Sequence, residues 1–250
     1  MIRITLILLG FVLGLAIAVG AKGTIGQARL LVGDALPGWT EKLHPESGLT
    51  QGQANHQSLP GFQATDTIWR LRSVDLTGAT YAVKIVGDGV SLTGSVTQPW
   101  GGGPAAFDLT SGEIAIATAL PSARISGQAL VDSLILQQIL WTADVRTVEG
   151  VLALAGLEFD GRSLGPGQLR ISEGEAGTWL GQISLAGEGP LTLQADLRGQ
   201  FDASRVQVDG MITPGTVALP DHWLRQLDET FPRSEEGWKI NQIIDLADLK

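Results

Sequence analysis

Residues 81–92, which run Tyr-Ala-Val-Lys-Ile-Val-Gly-Asp-Gly-Val-Ser-Leu, decide the fold class of this chain. Apolar side chains alternate with smaller or polar ones on both sides of the central Gly-Asp-Gly. A period of two places every second side chain on the same face of a β-strand. Glycine reaches positive φ at little steric cost, so the central residues close a hairpin. The stretch therefore predicts two antiparallel strands that share one apolar face.

The same alternation recurs along most of the chain after residue 60. Turn signals such as Gly187-Glu188-Gly189-Pro190 separate the runs, at the spacing of about 8–12 residues that is typical of all-β domains. We predict an all-β fold, mainly an antiparallel meander of roughly ten to twelve strands, built as a curved sheet, a sandwich or an open barrel. The alternating runs include Trp69/Leu71, Ile114/Ile116, Leu152/Leu154, Leu169/Ile171, Trp179/Ile183 and Val206/Val208.

Two short amphipathic patterns interrupt the strands near the C-terminus. The first follows Pro220 and places Trp223 and Leu227 on one helical face, which predicts a short helix over residues 221–230. The second has helical spacing over residues 240–247.

A sheet with one apolar face must hide that face by folding over, by curling into a groove, or by binding an apolar ligand or partner. The pattern is compatible with all three.

The N-terminal segment from Ile4 to Ala21 has no charged residue and has apolar side chains on all sides of a helix. About 18 residues at about 1.5 Å each reach roughly 27 Å, close to the thickness of a hydrocarbon core. We predict a transmembrane helix, because a single segment in lipid must satisfy its own backbone hydrogen bonds. A cleaved secretory signal is the alternative, since Ala16-Ile17-Ala18 fits a peptidase site. The predicted anchor residues include Leu6, Leu9, Phe11, Leu13, Leu15 and Ile17.

These patterns divide the chain into three parts. Residues 1–22 form the predicted anchor, and residues 61–250 form the β-rich domain. Between them, residues 23–60 form a connector with Pro, Gly and polar residues, in which a helix near Gln27–Leu36 is compatible with the sequence. A short positive start followed by an apolar run is typical of export signals, so residues 22–250 are expected outside the cytoplasm.

Composition and motifs argue against most chemistry. The net charge of −9 with scattered lysines leaves no basic surface for nucleic acid or anionic lipid. His44, His56 and His222 show no metal-site spacing. The loop Gly101–Ala106 is followed by a strand pattern and not by the helix that a dinucleotide site needs. Acidic pairs lie in polar stretches typical of solvated turns, at Glu173/Glu175, Asp228/Glu229 and Glu235/Glu236. We therefore predict no enzymatic activity, no cofactor and no metal.

The chain has seven tryptophans, and the neighbours of four of them indicate where they lie. Trp69 and Trp179 lie within strand patterns, which is typical of core residues. Trp39 and Trp100 stand beside turn signals, where an indole ring suits a membrane interface or a partner.

Several stretches taken together resemble protein N of the type II secretion system. That family has a Gly-containing turn after its anchor and then a Trp-Arg-Leu strand. Here Gly48 and Gly52 lie in such a turn, and Trp69-Arg70-Leu71 follows. Downstream, Gly150 and Gly187 begin or precede Gly/Leu strands, Leu224-Arg225-Gln226 resembles the family's closing helix, and Gly237-Trp238-Lys239 resembles its last strand. Two departures are Gln51, where the family often has Trp, and the extension Ile240–Lys250.

The resemblance implies an accessory, bitopic protein of the inner membrane in a Gram-negative bacterium, with its body in the periplasm. Its role would be to scaffold other secretion subunits, without catalytic residues. The short Gly/Leu strands also resemble AsmA-like β-groove proteins, which implies lipid binding or transfer as the alternative. A periplasmic hydrolase that uses His222 with Glu173 and Glu175 is a third, weaker hypothesis.

Overall fold

The computed structural model describes residues 22–32, 43–59, 62–101, 103–119, 124–138, 145–175, 177–201 and 205–245. The predicted anchor, including Leu6, Leu9, Phe11, Leu13, Leu15 and Ile17, lies outside these ranges. Within them, no helix has both the length and the apolar character needed to cross a bilayer.

In the described ranges, thirteen strands form one antiparallel, curved sheet. Each strand pairs with its neighbours in sequence, except that β8 pairs only with β7, which places β9 next to β7. The edge strands β1 and β13 are not paired with each other, so the sheet is open. The strands are β1 Gln51–Leu59, β2 Phe62–Val74, β3 Gly78–Gly87, β4 Val90–Pro99, β5 Ala105–Ala115, β6 Ile125–Gln138, β7 Val145–Phe159, β8 Arg162–Ser163, β9 Gly167–Glu173, β10 Thr178–Leu185, β11 Leu191–Gln200, β12 Arg205–Pro214 and β13 Trp238–Asp245. The prediction of an antiparallel meander is confirmed.

Three short helices accompany the sheet in the described ranges. α1 spans Ile25–Val32 and overlaps the helix that the connector suggested. α2, Ile116–Ala119, is a single turn after β5. α3, Asp221–Thr230, occupies the range predicted for the C-terminal helix, between β12 and β13.

The structure differs from the sequence prediction in three places. The sheet begins earlier than predicted. Its first strand, β1, starts at Gln51, inside the segment 23–60 that we assigned to the connector. Ile116, predicted in a strand with Ile114, instead starts α2. The helical spacing over residues 240–247 belongs to β13 as far as Asp245. A short helix gains little by itself, whereas β13 gains a full ladder of hydrogen bonds with β12.

The hairpin turns follow the predicted glycine chemistry. Gly89 has φ of 72° in the turn that joins β3 to β4, and Gly187 has φ of 70° between β10 and β11. The turn between β7 and β8 has positive φ at both central residues, 48° at Asp160 and 72° at Gly161. Two such residues define the type I′ turn, whose twist matches that of the flanking strands.

One row of paired residues crosses the sheet from β1 to β13 and is almost entirely apolar. The next row contains polar and charged residues, because a shift by one residue reverses the side-chain direction. We call the faces of these two rows the inner face and the outer face. The inner row is Ala54, Thr67, Ile85, Leu92, Gly112, Val131, Leu152, Leu169, Ile183, Ala195, Gly210 and Ile240. The outer row includes Ser133, Val151, Arg170, Gln182, Asp196, Asp209 and Asn241.

Candidate binding groove

The inner face is buried in its central rows, while many of its large side chains from β6 onward are half-buried. On β3–β5, inner residues such as Ile85, Leu92 and Leu109 have at most 8% of their surface exposed, and Val131 and Leu152 on β6 and β7 are equally buried. From β6 to β13, however, several large apolar side chains on the same face are only half-buried. These are Leu134, Leu136, Leu169, Ile171, Ile183, Leu197, Ile240 and Ile244. A second sheet packed on this face would bury them completely, so this part of the inner face keeps accessible apolar surface, which we call the groove.

Glycines on the inner face accompany the curvature of the sheet. Gly150 pairs with Leu134 and Ile171, and a Cβ at this position would lie 2.5 Å from the Ser133 carbonyl oxygen. Close backbone approach of this kind requires glycine. The inner face has further glycines at Gly52, Gly94, Gly112, Gly167, Gly181, Gly199 and Gly210. The sequence alone does not reveal this set, because the face on which a glycine lies depends on the strand register.

Helix α3 packs against the apolar cluster through Trp223. Its indole has 2% of its surface exposed, and its ring meets Phe159 edge-on at 5.2 Å between centroids. Leu164 and Leu185 belong to the same cluster. These residues lie where β7 and β10 end and β9 and β11 begin, so α3 covers one end of the groove. The indole Nε1 of Trp223 has no hydrogen-bond partner among the described residues.

The last predicted motif, Gly237-Trp238, forms a compact unit with α3. Trp238 has 1% of its surface exposed, and its Nε1 donates to Asp228 Oδ1 at 2.8 Å. The guanidinium of Arg233 lies 5.7 Å from the indole centroid and 3.5 Å from Asp228. Gly237 is packed against the Ile212 carbonyl, which leaves no room for a Cβ. Asp228, which the sequence suggested was a solvated acid, therefore fastens α3 to β13.

The first predicted motif forms a second compact unit at the other edge of the sheet. Trp69 Nε1 donates to the Gly48 carbonyl at 3.3 Å, and the ring lies over Gly52, its partner on β1. The backbone N–H of Leu71 donates to the Thr50 carbonyl at 2.6 Å. A side chain at Gly52 would collide with Trp69 and with Ser47, whose Cβ lies 2.6 Å away. The structure thus joins Gly48, Gly52, Trp69 and Leu71.

The other motif positions lie apart from these two units. Arg70 is exposed on the outer face, and Gly150 lies in the middle of the groove. Gly187 lies in a turn, where its carbonyl accepts hydrogen bonds from the backbone N–H and the hydroxyl of Thr216, at 3.2 and 3.1 Å.

The residues weighed for catalysis are dispersed. His44 and His222 are exposed, and the side chain of His56 lies outside the described part of the chain. Glu173 and Glu175 are exposed near the turn between β9 and β10. Among the described residues, no group of three or more His, Asp or Glu is arranged to hold a metal. The loop predicted over Gly101–Ala106 is shorter than expected, because Ala105 and Ala106 already belong to β5.

The outer face has a cleft of about 750 Å³ over strands β6 to β12, lined by both charged and apolar side chains. Glu149, Arg170 and Arg198 line it, together with Asp196, which accepts a hydrogen bond from Gln182 at 3.1 Å. Both signs of charge are present, so the cleft differs in chemistry from the apolar groove on the opposite face.

A scan against protein-family models gives no match, and neither a search of curated proteins nor a search of solved structures gives one. The resemblance to protein N of the type II secretion system therefore rests on the residues quoted above.

Proposed function

We propose that this chain is a non-catalytic accessory subunit of the type II secretion machinery. Residues 4–21 anchor it in the inner membrane, and the β-rich domain binds other secretion subunits in the periplasm. The half-buried apolar groove supports a binding role, because exposed apolar surface of this kind is typical of interaction sites. The family-like motifs support the choice of machine, since Gly48, Gly52 and Trp69 pack together, as do Gly237 and Trp238.

Site-specific photocrosslinking in the intact cell tests this proposal. A photoreactive amino acid replaces Leu197, which lies in the groove, or its outer-face neighbour Arg198. We expect crosslinks to a secretion subunit from Leu197 and few or none from Arg198. Equal crosslinking at the two positions, or no secretion subunit at either, would contradict the proposal.

Deletion of the chain should also abolish export of type II substrates, with recovery when the wild-type chain is restored.

Lipid binding in the same groove is the second candidate function. The observation that favours it is the inner row on β6–β12, which runs through Val131, Leu169 and Ile183 without a polar side chain. Acyl chains match such a surface because they bury apolar area without requiring hydrogen bonds. Native mass spectrometry of the full-length protein in detergent separates the two functions: bound phospholipid supports this one, and a lipid-free protein that crosslinks to secretion subunits supports the first.

A further inference from the structure

Exposed apolar side chains cluster at one end of the first four strands. Leu76, in the turn between β2 and β3, is 99% exposed, and Val74 beside it is 59% exposed. Trp100, just after β4, is 59% exposed, and Leu49, just before β1, is 66% exposed. The pairing of β1 with β2 and of β3 with β4 places all four at the same end of the sheet. We call these four residues the apolar rim.

Hydrogen bonds fix the conformation of the rim while its apolar atoms stay exposed to solvent. Trp100 donates from its backbone N–H to the Thr77 carbonyl at 3.1 Å and from Nε1 to the Asp75 carbonyl at 2.8 Å. Asp75 Oδ1 accepts from the backbone N–H and the hydroxyl of Thr77, at 2.7 and 2.6 Å, and from the Gly78 N–H at 3.0 Å. The indole N–H therefore has a protein partner, so its ring can leave water without losing a hydrogen bond.

The N-terminal part of the chain joins the sheet at this same end. Thr24 forms a β-bridge with Gly48, the residue before Leu49. The N–H groups of Ile25 and Gly26 donate to the carbonyls of Ser47 and Pro45, at 2.8 and 2.7 Å. The predicted anchor ends at residue 21, and three further residues span at most about 10 Å of extended chain. The rim is thus within reach of the bilayer surface from which the chain emerges.

The opposite end of the sheet has charged turns. Its turns present the exposed acids Asp88, Asp160 and Glu188, and Arg124 pairs with Asp160 at 3.8 Å. Such charged turns lose hydration at an apolar interface and gain no apolar burial there. Near the rim, exposed Glu46 is accompanied by exposed Arg70 and Arg72. The hydrogen bonds from Thr77 and Gly78 to the carboxylate of Asp75 hold its pKa below the ordinary range.

We propose that the apolar rim docks on the interface of the bilayer that holds the anchor, so that the strands rise from the membrane with the charged turns farthest away. Tryptophan and leucine side chains are favoured at such an interface, where their apolar surface leaves water. This inference rests on the membrane anchor of the proposed function.

The absence of cysteine from the chain allows a direct test by site-directed spin labelling. The variants Leu76→Cys and Leu49→Cys report on the rim, and Glu188→Cys on the opposite end serves as the control. Each full-length protein is reconstituted in vesicles of phosphatidylethanolamine and phosphatidylglycerol. Accessibility of the label is measured with oxygen, which partitions into lipid, and with a water-soluble nickel chelate.

We expect the rim labels to be at least several-fold less accessible to the chelate than the Glu188 label, and more accessible to oxygen. Equal access of the chelate to rim and control labels would overturn the docking. Rim labels shielded from both reagents would indicate a protein partner and would also overturn it. Carbonate extraction of the same vesicles tests the anchor separately: a protein that resists extraction while its rim labels stay in water refutes the docking alone.

Discussion

At the scale of single residues, the two buried tryptophans near α3 occupy opposite hydrogen-bonding environments. Trp238 donates to Asp228, whereas Trp223 has no acceptor among the described residues. A buried polar group without a partner costs stability, while a satisfied one contributes to it. The same change, Trp to Phe, should therefore have different consequences at the two positions.

We predict that Trp238→Phe lowers the free energy of unfolding by about 1 kcal/mol more than Trp223→Phe does. Both changes remove a similar volume and keep an aromatic ring beside Arg233 or Phe159, so the largest difference between them is the indole N–H. Urea denaturation of the full-length protein in detergent, followed by circular dichroism, provides the measurement. Equal destabilisation would mean that the Trp223 N–H is satisfied in solution, for example by a buried water molecule.

The carboxylate of Asp75 links the shape of the rim turn to pH. Hydrogen bonds from Thr77, followed by that from Gly78, lower its pKa from the ordinary value of the side chain. A lowered pKa in the folded state means that the carboxylate stabilises the turn fully above the unfolded pKa, and that this contribution is lost as the pH falls through the folded pKa. The turn should therefore be well formed at neutral pH and loosen only in strong acid.

We predict that Asp75→Ala accelerates amide hydrogen exchange at Thr77 and Gly78 at neutral pH, because both N–H groups lose their acceptor. The variant and the wild type should converge only in strong acid, as the pH falls through the lowered pKa of the folded Asp75 carboxyl. Glu188→Ala, in a distant turn, is the control and should leave these amides unchanged. Exchange rates that do not respond to Asp75→Ala would refute this account of the turn.

At the scale of secondary-structure elements, the curvature of the sheet depends on glycines that face inward. We predict that Gly150→Ala lowers the free energy of unfolding by about 1–3 kcal/mol, because the new methyl group would overlap Ser133 and Leu134 across the strand pair. Gly101→Ala is the matched control, since nothing lies within 4 Å of its Cβ position. Its effect should stay within about 0.5 kcal/mol. Similar unfolding curves for the two variants would contradict the role of Gly150.

The strands and turns were predictable because their signals are local. The alternation around Val83 and Leu92 involves residues only a few positions apart, and so does the turn at Gly89. The helical spacing over residues 240–247 is ambiguous, because Ile240 and Ile244 fit a period of 3.6 as well as a period of two. Only the pairing with β12 selects the strand. The contact between Gly52 and Trp69 was equally hidden, because it depends on a register that the two strands adopt together.

At the scale of the whole molecule, an open sheet leaves part of one continuous apolar face uncovered. A closed sandwich would bury both Leu92 and Ile183, yet only Leu92, with 6% of its surface exposed, is fully buried here. The two proposed functions share this surface, since a secretion subunit and an acyl chain would both bury the half-exposed side chains. A charge placed in the groove should therefore impair binding whichever partner is the natural one.

We predict that Ile183→Asp weakens binding of the groove's partner roughly ten- to hundred-fold, because it removes about 1.5–3 kcal/mol of apolar burial and introduces a carboxylate that loses its hydration on binding. Ser184→Asp introduces the same charge on the adjacent, exposed outer position and should change binding little.

The measurement is the yield of photocrosslinks from Leu197 and the amount of co-purified phospholipid. Thermal melts of both variants show whether Ile183→Asp still folds, and Ile183→Ala provides a milder change at the same site. If both aspartate variants retain wild-type binding while remaining folded, the inner face is not the binding surface. Binding would then be expected at the outer-face cleft around Arg170 and Arg198.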